Sequence, residues 1–135
     1  MCGYIGKFSF NEIDEEALKR SNEHLVCRGP DDLQLTAGYI SNKFSSNSNS
    51  FFGFIFNRLT ILDLTDHSRQ PMFSDQFNTA IMFNGEIYNH NELRKNLESK
   101  GVKFHSDHSD SEVVLNGFSY YGASFASKLE GQFAI

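Results

Sequence analysis

Phe51-Phe52-Gly53-Phe54-Ile55-Phe56-Asn57-Arg58-Leu59-Thr60-Ile61-Leu62-Asp63-Leu64 is the densest apolar and aromatic run in the chain, and its reading decides the fold. A stretch so rich in aromatic and aliphatic side chains reads as a buried strand needing cover on both faces. Asn57-Arg58 is a polar point along it, and the stripe Phe51-Phe52-Phe54-Phe56 reads as core rather than as a binding platform. On its N-terminal side, Leu33 to Ile40 is strand-like, and the Ser/Asn-rich Ser41 to Ser50 reads as a surface hairpin or loop. Further back, Tyr4 to Phe10 reads as a first strand. Asp14 caps a short helix whose Glu15-Glu16 start and Lys19-Arg20 end suit the helix dipole. Arg28-Gly29-Pro30-Asp31-Asp32 must be a loop, because Pro30 pushes Gly29 away from helical angles.

On the C-terminal side, Thr65 to Asp75 reads as a loop anchored by Gln70-Pro71-Met72, and Thr79 to Phe83 as a strand. Asn84-Gly85 reads as a turn leading to a second short strand, Glu86 to Tyr88. Asn91 to Lys100 reads as a helix stopped by Gly101. Ser109 and Glu112, at capping-box spacing, open another that runs to Tyr121 and stops at Gly122. Gly131 to Ile135 looks like the beginning of a strand. Strands, a pair of helices and a returning strand make a layered α+β domain, and the apolar ending leads us to expect that its last portion lies beyond Ile135.

With 135 residues the chain has the size of one domain with one core. The formal net charge of −5 argues against nucleic acid as a partner. No run approaches the ~20 apolar residues of a membrane-spanning helix, and the N-terminus has no secretory signal pattern. Two cysteines, Cys2 and Cys27, make a poor disulfide framework and point to a reducing, cytoplasmic setting.

Several residues could carry chemistry, each beside a plainer alternative. Cys2 becomes N-terminal if Met1 is removed, giving its thiol an adjacent α-amine with a pKa of about 7.7–8.0 as general base; alternatively it is a small buried residue at a strand start. Asn84 and Gly85 offer a side-chain amide and a backbone N–H suited to an oxyanion hole, or they simply turn a hairpin. Arg58, inside an apolar stretch, needs a carboxylate from the protein or from a ligand. Glu86 and Asp110 are candidates for holding an α-ammonium; alternatively they are a cross-strand surface charge and a helix cap. One cation and two carboxylates are what recognition of a zwitterionic amino acid requires. His105-Ser106-Asp107-His108-Ser109-Asp110 reads as a solvated loop rather than a metal site. There is no nucleophile elbow and no Gly-rich phosphate loop.

Met1-Cys2-Gly3, Arg28-Gly29-Pro30-Asp31, Arg58 to Asp63, Gln70-Pro71-Met72, Phe83 to Asn89 and Ser109 to Val113 stand in the order seen in class II glutamine amidotransferases. Together they resemble the asparagine-synthetase type, over essentially the whole chain. The resemblance implies the four-layer α/β/β/α sandwich of N-terminal-nucleophile hydrolases, with residues 1–135 the N-terminal portion of a glutaminase domain. It implies that Cys2 is the nucleophile and that Asn84 and Gly85 form the oxyanion hole. Arg58 would bind the glutamine α-carboxylate, Glu86 and Asp110 its α-amino group, and backbone near Ile61 would complete the pocket. No metal or other cofactor is expected in this chain; ATP and Mg²⁺ belong with a synthetase domain outside it, which would receive the ammonia. Its expected partners are L-glutamine, that downstream synthetase domain and a possible second copy of the chain. The alternative is an inactive amidotransferase-like fragment serving as a glutamine-binding or interaction module. Tyr4, Cys27 and Phe56 depart from the family pattern, where a smaller aliphatic residue and two histidines are usual.

Overall fold

The structure is a computed structural model that describes residues 2–40, 50–58, 69–74 and 79–135. It is α+β, as expected, and divides into two compact units, Met1–Leu64 and Thr65–Ile135. Among the described residues no helix is long and apolar enough to cross a membrane.

In the first unit, strands β1 (Gly3–Ser9), β2 (Asp32–Ile40) and β3 (Ser50–Arg58) form an antiparallel sheet in the order β1-β3-β2. The aromatic run therefore supplies the central strand. Its register sets Ile5 opposite Ile55 and Leu35 opposite the same residue on the other side. Helix α1 (Glu15–Asn22) follows Asp14, whose carboxylate accepts from the Ala17 N–H at 2.9 Å. Ile13 and Leu18 pack on Ile55, with Ile5 and Leu35 around them. They sit so close that a Cβ on Gly53 would meet both at 2.8 Å, which is why the middle of β3 carries no side chain there.

Tyr4, Phe8, Phe52, Phe54 and Phe56 alternate onto the opposite face. Tyr4 stacks on Phe56 with ring centroids 6.3 Å apart, and Phe8 meets Phe54 edge-on. Of the stripe read as core, only Phe56 is fully buried, while Phe51, Phe52 and Phe54 are half-buried. The run as a strand ends, within the described residues, at Arg58; its expected continuation from Leu59 to Leu64 lies outside them, as does the loop 41–49.

The second unit departs from expectation in two places. Met72–Ser74 is not loop but strand β4, paired antiparallel with β5 (Thr79–Ile81). Asn84 and Gly85 do not turn a hairpin. They begin strand β6 (Asn84–Ile87), whose partner is β7 (Gly131–Ala134), the strand expected at the chain end. A two-residue hairpin turn of the Asn-Gly kind needs positive φ at both central residues. Here the segment stays extended because β7 lies against it: a Cβ on Gly85 would strike the Gln132 carbonyl oxygen and come within 2.5 Å of Phe133 Cα. Glycine is required for close approach of a neighbouring strand, not for a turn.

Helices α2 (His90–Ser99) and α3 (Asp110–Tyr121) lie within one residue of their expected bounds, and Gly101 and Gly122 follow them with φ of 87° and 65°. Leu97, Val113 and Phe125 form one buried cluster, and Ile81, Phe83, Ile87, Val114 and Leu115 another. Each such side chain stabilises the unit by about 1.5–3 kcal/mol relative to exposure. The second cluster encloses Ile87 completely, which anchors one end of β6.

Candidate active site

On the first unit, Cys2 is half-buried immediately before β1. Gly3 pairs with Asn57, so continuing that register by one residue sets Cys2 level with Arg58, the last residue of β3. On the far side of β3, Asp32 is opposite Arg58. Asp32 and Arg58 thus form one row across the sheet, with Cys2 immediately ahead of the strand on the other side of β3. The Arg28-Gly29-Pro30-Asp31 loop is pressed onto this end: the Asp31 N–H donates to the Arg58 carbonyl at 3.1 Å, and a Cβ on Gly29 would collide with the backbone of Asn57. Gly3 packs on the Arg28 stem, where an added Cβ would lie 3.1 Å from Arg28 Cβ. Burial raises the Tyr4 phenol above its ordinary value, so it remains an uncharged O–H at neutral pH.

Beneath the row lies a contact that the sequence did not signal. Asn22, at the end of α1, and Asn57 exchange side-chain amide hydrogen bonds, Asn22 Nδ2 donating to Asn57 Oδ1 at 3.1 Å and Asn57 Nδ2 to Asn22 Oδ1. Both are buried, and the pair fastens the helix to the strand position opposite Gly3.

On the second unit, Asn84 is half-buried and Gly85 and Glu86 are exposed along β6. Alternation sets Asn84 and Glu86 on the same face of the strand. Asp110 is the first residue of α3, and the cap is Ser109, whose Oγ accepts from the Glu112 N–H at 3.1 Å. Asp110 instead reaches to β6, where its Oδ2 accepts from the Ile87 N–H at 3.1 Å. The strand bearing Asn84, Gly85 and Glu86 is thereby joined to the fourth expected residue of this unit. Ile61 lies outside the described residues.

The loop before Asp110 is solvent-exposed at His105, Asp107 and His108 but is tied down by hydrogen bonds to Glu112 and Arg94. Among the described residues no group of three His, Cys, Asp or Glu gathers as metal ligands would. Glu112 is buried and accepts from the His105 N–H at 2.6 Å, the Ser106 N–H at 2.9 Å and the Ser106 hydroxyl at 2.6 Å. Arg94, buried on α2, donates to the Ser106 and Ser109 carbonyls and lies over the Phe104 ring. Burial alone would raise the Glu112 carboxyl, but the His105 and Ser106 hydrogen bonds and the Arg94 charge outweigh it and hold the group below its ordinary value. The capping-box spacing had marked Glu112, but it serves the preceding loop rather than the Ser109 N–H, which donates to Ser106 Oγ.

A model of the glutamine amidotransferase domain family matches residues 1–135. The chain is 40% identical over its whole length to "Asparagine synthetase [glutamine-hydrolyzing] 1" of Bacillus subtilis, covering 20% of that protein. It is 33% identical over its whole length to the asparagine synthetase [glutamine-hydrolyzing] of Brassica oleracea, covering 21% of it. Over 88% of its length it is 34% identical to a putative asparagine synthetase of Mycobacterium bovis, covering 18% of that protein. The chain spans about a fifth of the length of these curated relatives. With the ordered motifs, the α+β architecture and a match along every residue, the chain belongs to the glutamine amidotransferase domain family.

Proposed function

We propose that this chain hydrolyses L-glutamine to glutamate and ammonia with Cys2 as an N-terminal nucleophile, and that the ammonia serves an ATP-dependent synthetase domain of the protein it belongs to. The observation that supports the reading is the strand register of Gly3 opposite Asn57, which, extended by one residue, would bring Cys2 opposite Arg58. Side chains at directly opposed positions share a face, and neighbouring strands lie about 4.8 Å apart. A thiol and a guanidinium so placed suit the two ends of one small amino acid, the reacting side-chain amide and the α-carboxylate.

Removal of Met1 frees the Cys2 α-amine, which takes the thiol proton as the sulfur attacks the amide carbon of glutamine. The oxyanion of the tetrahedral intermediate is stabilised by the Asn84 side-chain amide and the Gly85 N–H, donors that gain strength where water is excluded. Collapse breaks the C–N bond, and the α-ammonium returns its proton to the leaving ammonia. Water, deprotonated by the same amine, then attacks the thioester and releases glutamate. In this reading Arg58 recognises the α-carboxylate, and Glu86 and Asp110 recognise the α-ammonium, the roles that the motif resemblance implies. None of these steps needs a metal, and ATP and Mg²⁺ act only in the synthetase step. Neither cysteine is in a disulfide, which suits the reducing cytoplasm such a thiol requires.

Cys2→Ala is expected to abolish glutamine hydrolysis, with loss of at least about 10⁴-fold in kcat and an unchanged unfolding midpoint. Intact mass of the purified protein should show Met1 absent. Hydrolysis surviving in Cys2→Ala would overturn the mechanism. Glutamine binding without ammonia release, in protein lacking Met1, would leave a binding module instead.

A further inference from the structure

Gln70 is buried, yet the sequence marks it only as part of a loop anchor. Strand β4 pairs with β5 in a register that sets Met72 opposite Ile81. Continuing that register by two residues brings Gln70 opposite Phe83. Pro71 lies between and has no N–H to donate, so an ordinary ladder cannot be extended through it. The Gln70 side chain takes over. Its Nε2 donates to the Phe83 carbonyl at 2.9 Å, and its Oε1 accepts from the Phe83 N–H. A primary amide presents the donor and acceptor of a peptide group, so Phe83 gains both strand hydrogen bonds from a side chain. Phe83 is buried and its carbonyl carbon is bonded to the nitrogen of Asn84.

A second amide acts at the other end of β6. Asn89 occupies the cap position of α2 but does not cap it. Its Oδ1 accepts from the Glu130 N–H at 3.1 Å, and its Nδ2 donates to the Lys128 carbonyl at 2.9 Å, fastening the approach to β7. The ends differ in what they hold: Gln70 fixes the peptide that leads directly into Asn84, whereas Asn89 fixes the neighbouring strand.

We propose that Gln70 is a positioning residue for glutamine hydrolysis: acting as a surrogate peptide rung on Phe83, it fixes the orientation of the Asn84 amide and the Gly85 N–H toward the developing oxyanion. The proposal rests on the amidotransferase reading above. Its consequence is selective. Donors aimed at a charge that exists only in the transition state affect kcat, while substrate held by Arg58, Glu86 and Asp110 should keep its KM.

The test uses the full native protein containing this chain, with the variants Gln70→Met, Gln70→Glu and Asn89→Ala. Gln70→Met keeps the volume but removes both hydrogen bonds. It should lower kcat about tenfold or more, less than the 10²–10³-fold of deleting an oxyanion donor outright, with KM changed less than about twofold. Amide exchange at Phe83 should accelerate in the same variant. Gln70→Glu should show a variant-to-wild-type ratio of kcat that rises as pH falls, because a protonated carboxyl again donates to the Phe83 carbonyl and accepts from its N–H. Asn89→Ala controls for simple loosening: it should lower the unfolding midpoint while leaving kcat per folded molecule near the wild-type value. Wild-type kcat in Gln70→Met, or equal kcat losses in Gln70→Met and Asn89→Ala at matched destabilisation, would overturn the inference alone. A wild-type protein that hydrolyses no glutamine would overturn the amidotransferase reading and this inference with it.

Discussion

The two units hold their candidate residues by different physical means. In the first, Cys2, Arg58 and the Arg28–Asp31 loop are placed by backbone: a strand register, one N–H to carbonyl bond, and two glycines whose missing side chains let chain segments touch. In the second, the backbone of β6 and the loop before α3 are held by polar side chains, with Gln70, Asp110, Glu112 and Arg94 each bonded to main-chain groups. A backbone-built site tolerates exchange of side chains that point elsewhere but not an added Cβ at the contact. A side-chain-built site fails when one partner is removed, because the main-chain groups left behind lose their hydrogen-bond partners, at Phe83 in a buried setting. It is also open to pH through the Glu112 carboxylate.

That contrast can be broken experimentally. The largest expected effect is at Glu112→Ala, which strips the acceptor from the His105 N–H, the Ser106 N–H and the Ser106 hydroxyl, three hydrogen bonds to one charged group. We expect a loss of about 3–5 kcal/mol, read by denaturant unfolding. The same carboxylate predicts a pH signature. Because its folded pKa is depressed, the unfolded chain binds more protons as the medium turns acid. The contribution should be complete above the ordinary glutamate range near about pH 4.3 and should disappear as the pH falls through the lower folded value. Glu112→Gln should flatten that part of the stability profile; an unchanged profile would remove Glu112 from the account.

Next in size is Gly29→Ala in the first unit. The added Cβ would lie 2.8 Å from Arg58 C and closer still to Asn57, contacts with backbone that no rotamer change can relieve. A loss of about 2–3 kcal/mol is expected, together with reduced glutamine hydrolysis, because the displaced backbone carries Arg58. An alanine accepted there without either change would show that this end of the sheet is less rigid than the register suggests.

The smallest effect concerns a buried side-chain pair in the first unit, Asn22 and Asn57. Asn57→Ala leaves the Asn22 amide buried and unpaired and should cost about 1–3 kcal/mol. Asn22→Ala should cost a similar amount, and the double variant clearly less than the sum. Additive losses would show that the two amides act independently.

Helix bounds were legible because caps and stops are local: Asp14, Ser109, Gly101 and Gly122 each act on neighbours within a few residues. The family motifs were legible for a related reason, since residue order survives whatever the chain does in space. The Asn84-Gly85 turn was misread because the local signal is real but weaker than a partner strand arriving from more than 40 residues away. Gln70 and Asn89 were marked only as members of motifs, and the contacts they make, like the Asn22–Asn57 pair, carried no sequence signal, since an amide's partner here is a backbone group or side chain 13 to 41 residues distant.

The sequence by itself thus determined the α+β class and the helix limits through local chemistry, and marked Cys2, Arg58, Asn84, Gly85, Glu86 and Asp110 as candidates through the ordered motifs it shares with a known family. Only the tertiary structure decided that Gly3, next to Cys2, lies opposite Asn57, next to Arg58, that Gly85 is a glycine to admit β7, and that Asp110 is tied to Ile87. Those facts depend on which distant segments pack together. Packing is fixed by the summed burial of many side chains, so no single stretch of sequence contains it.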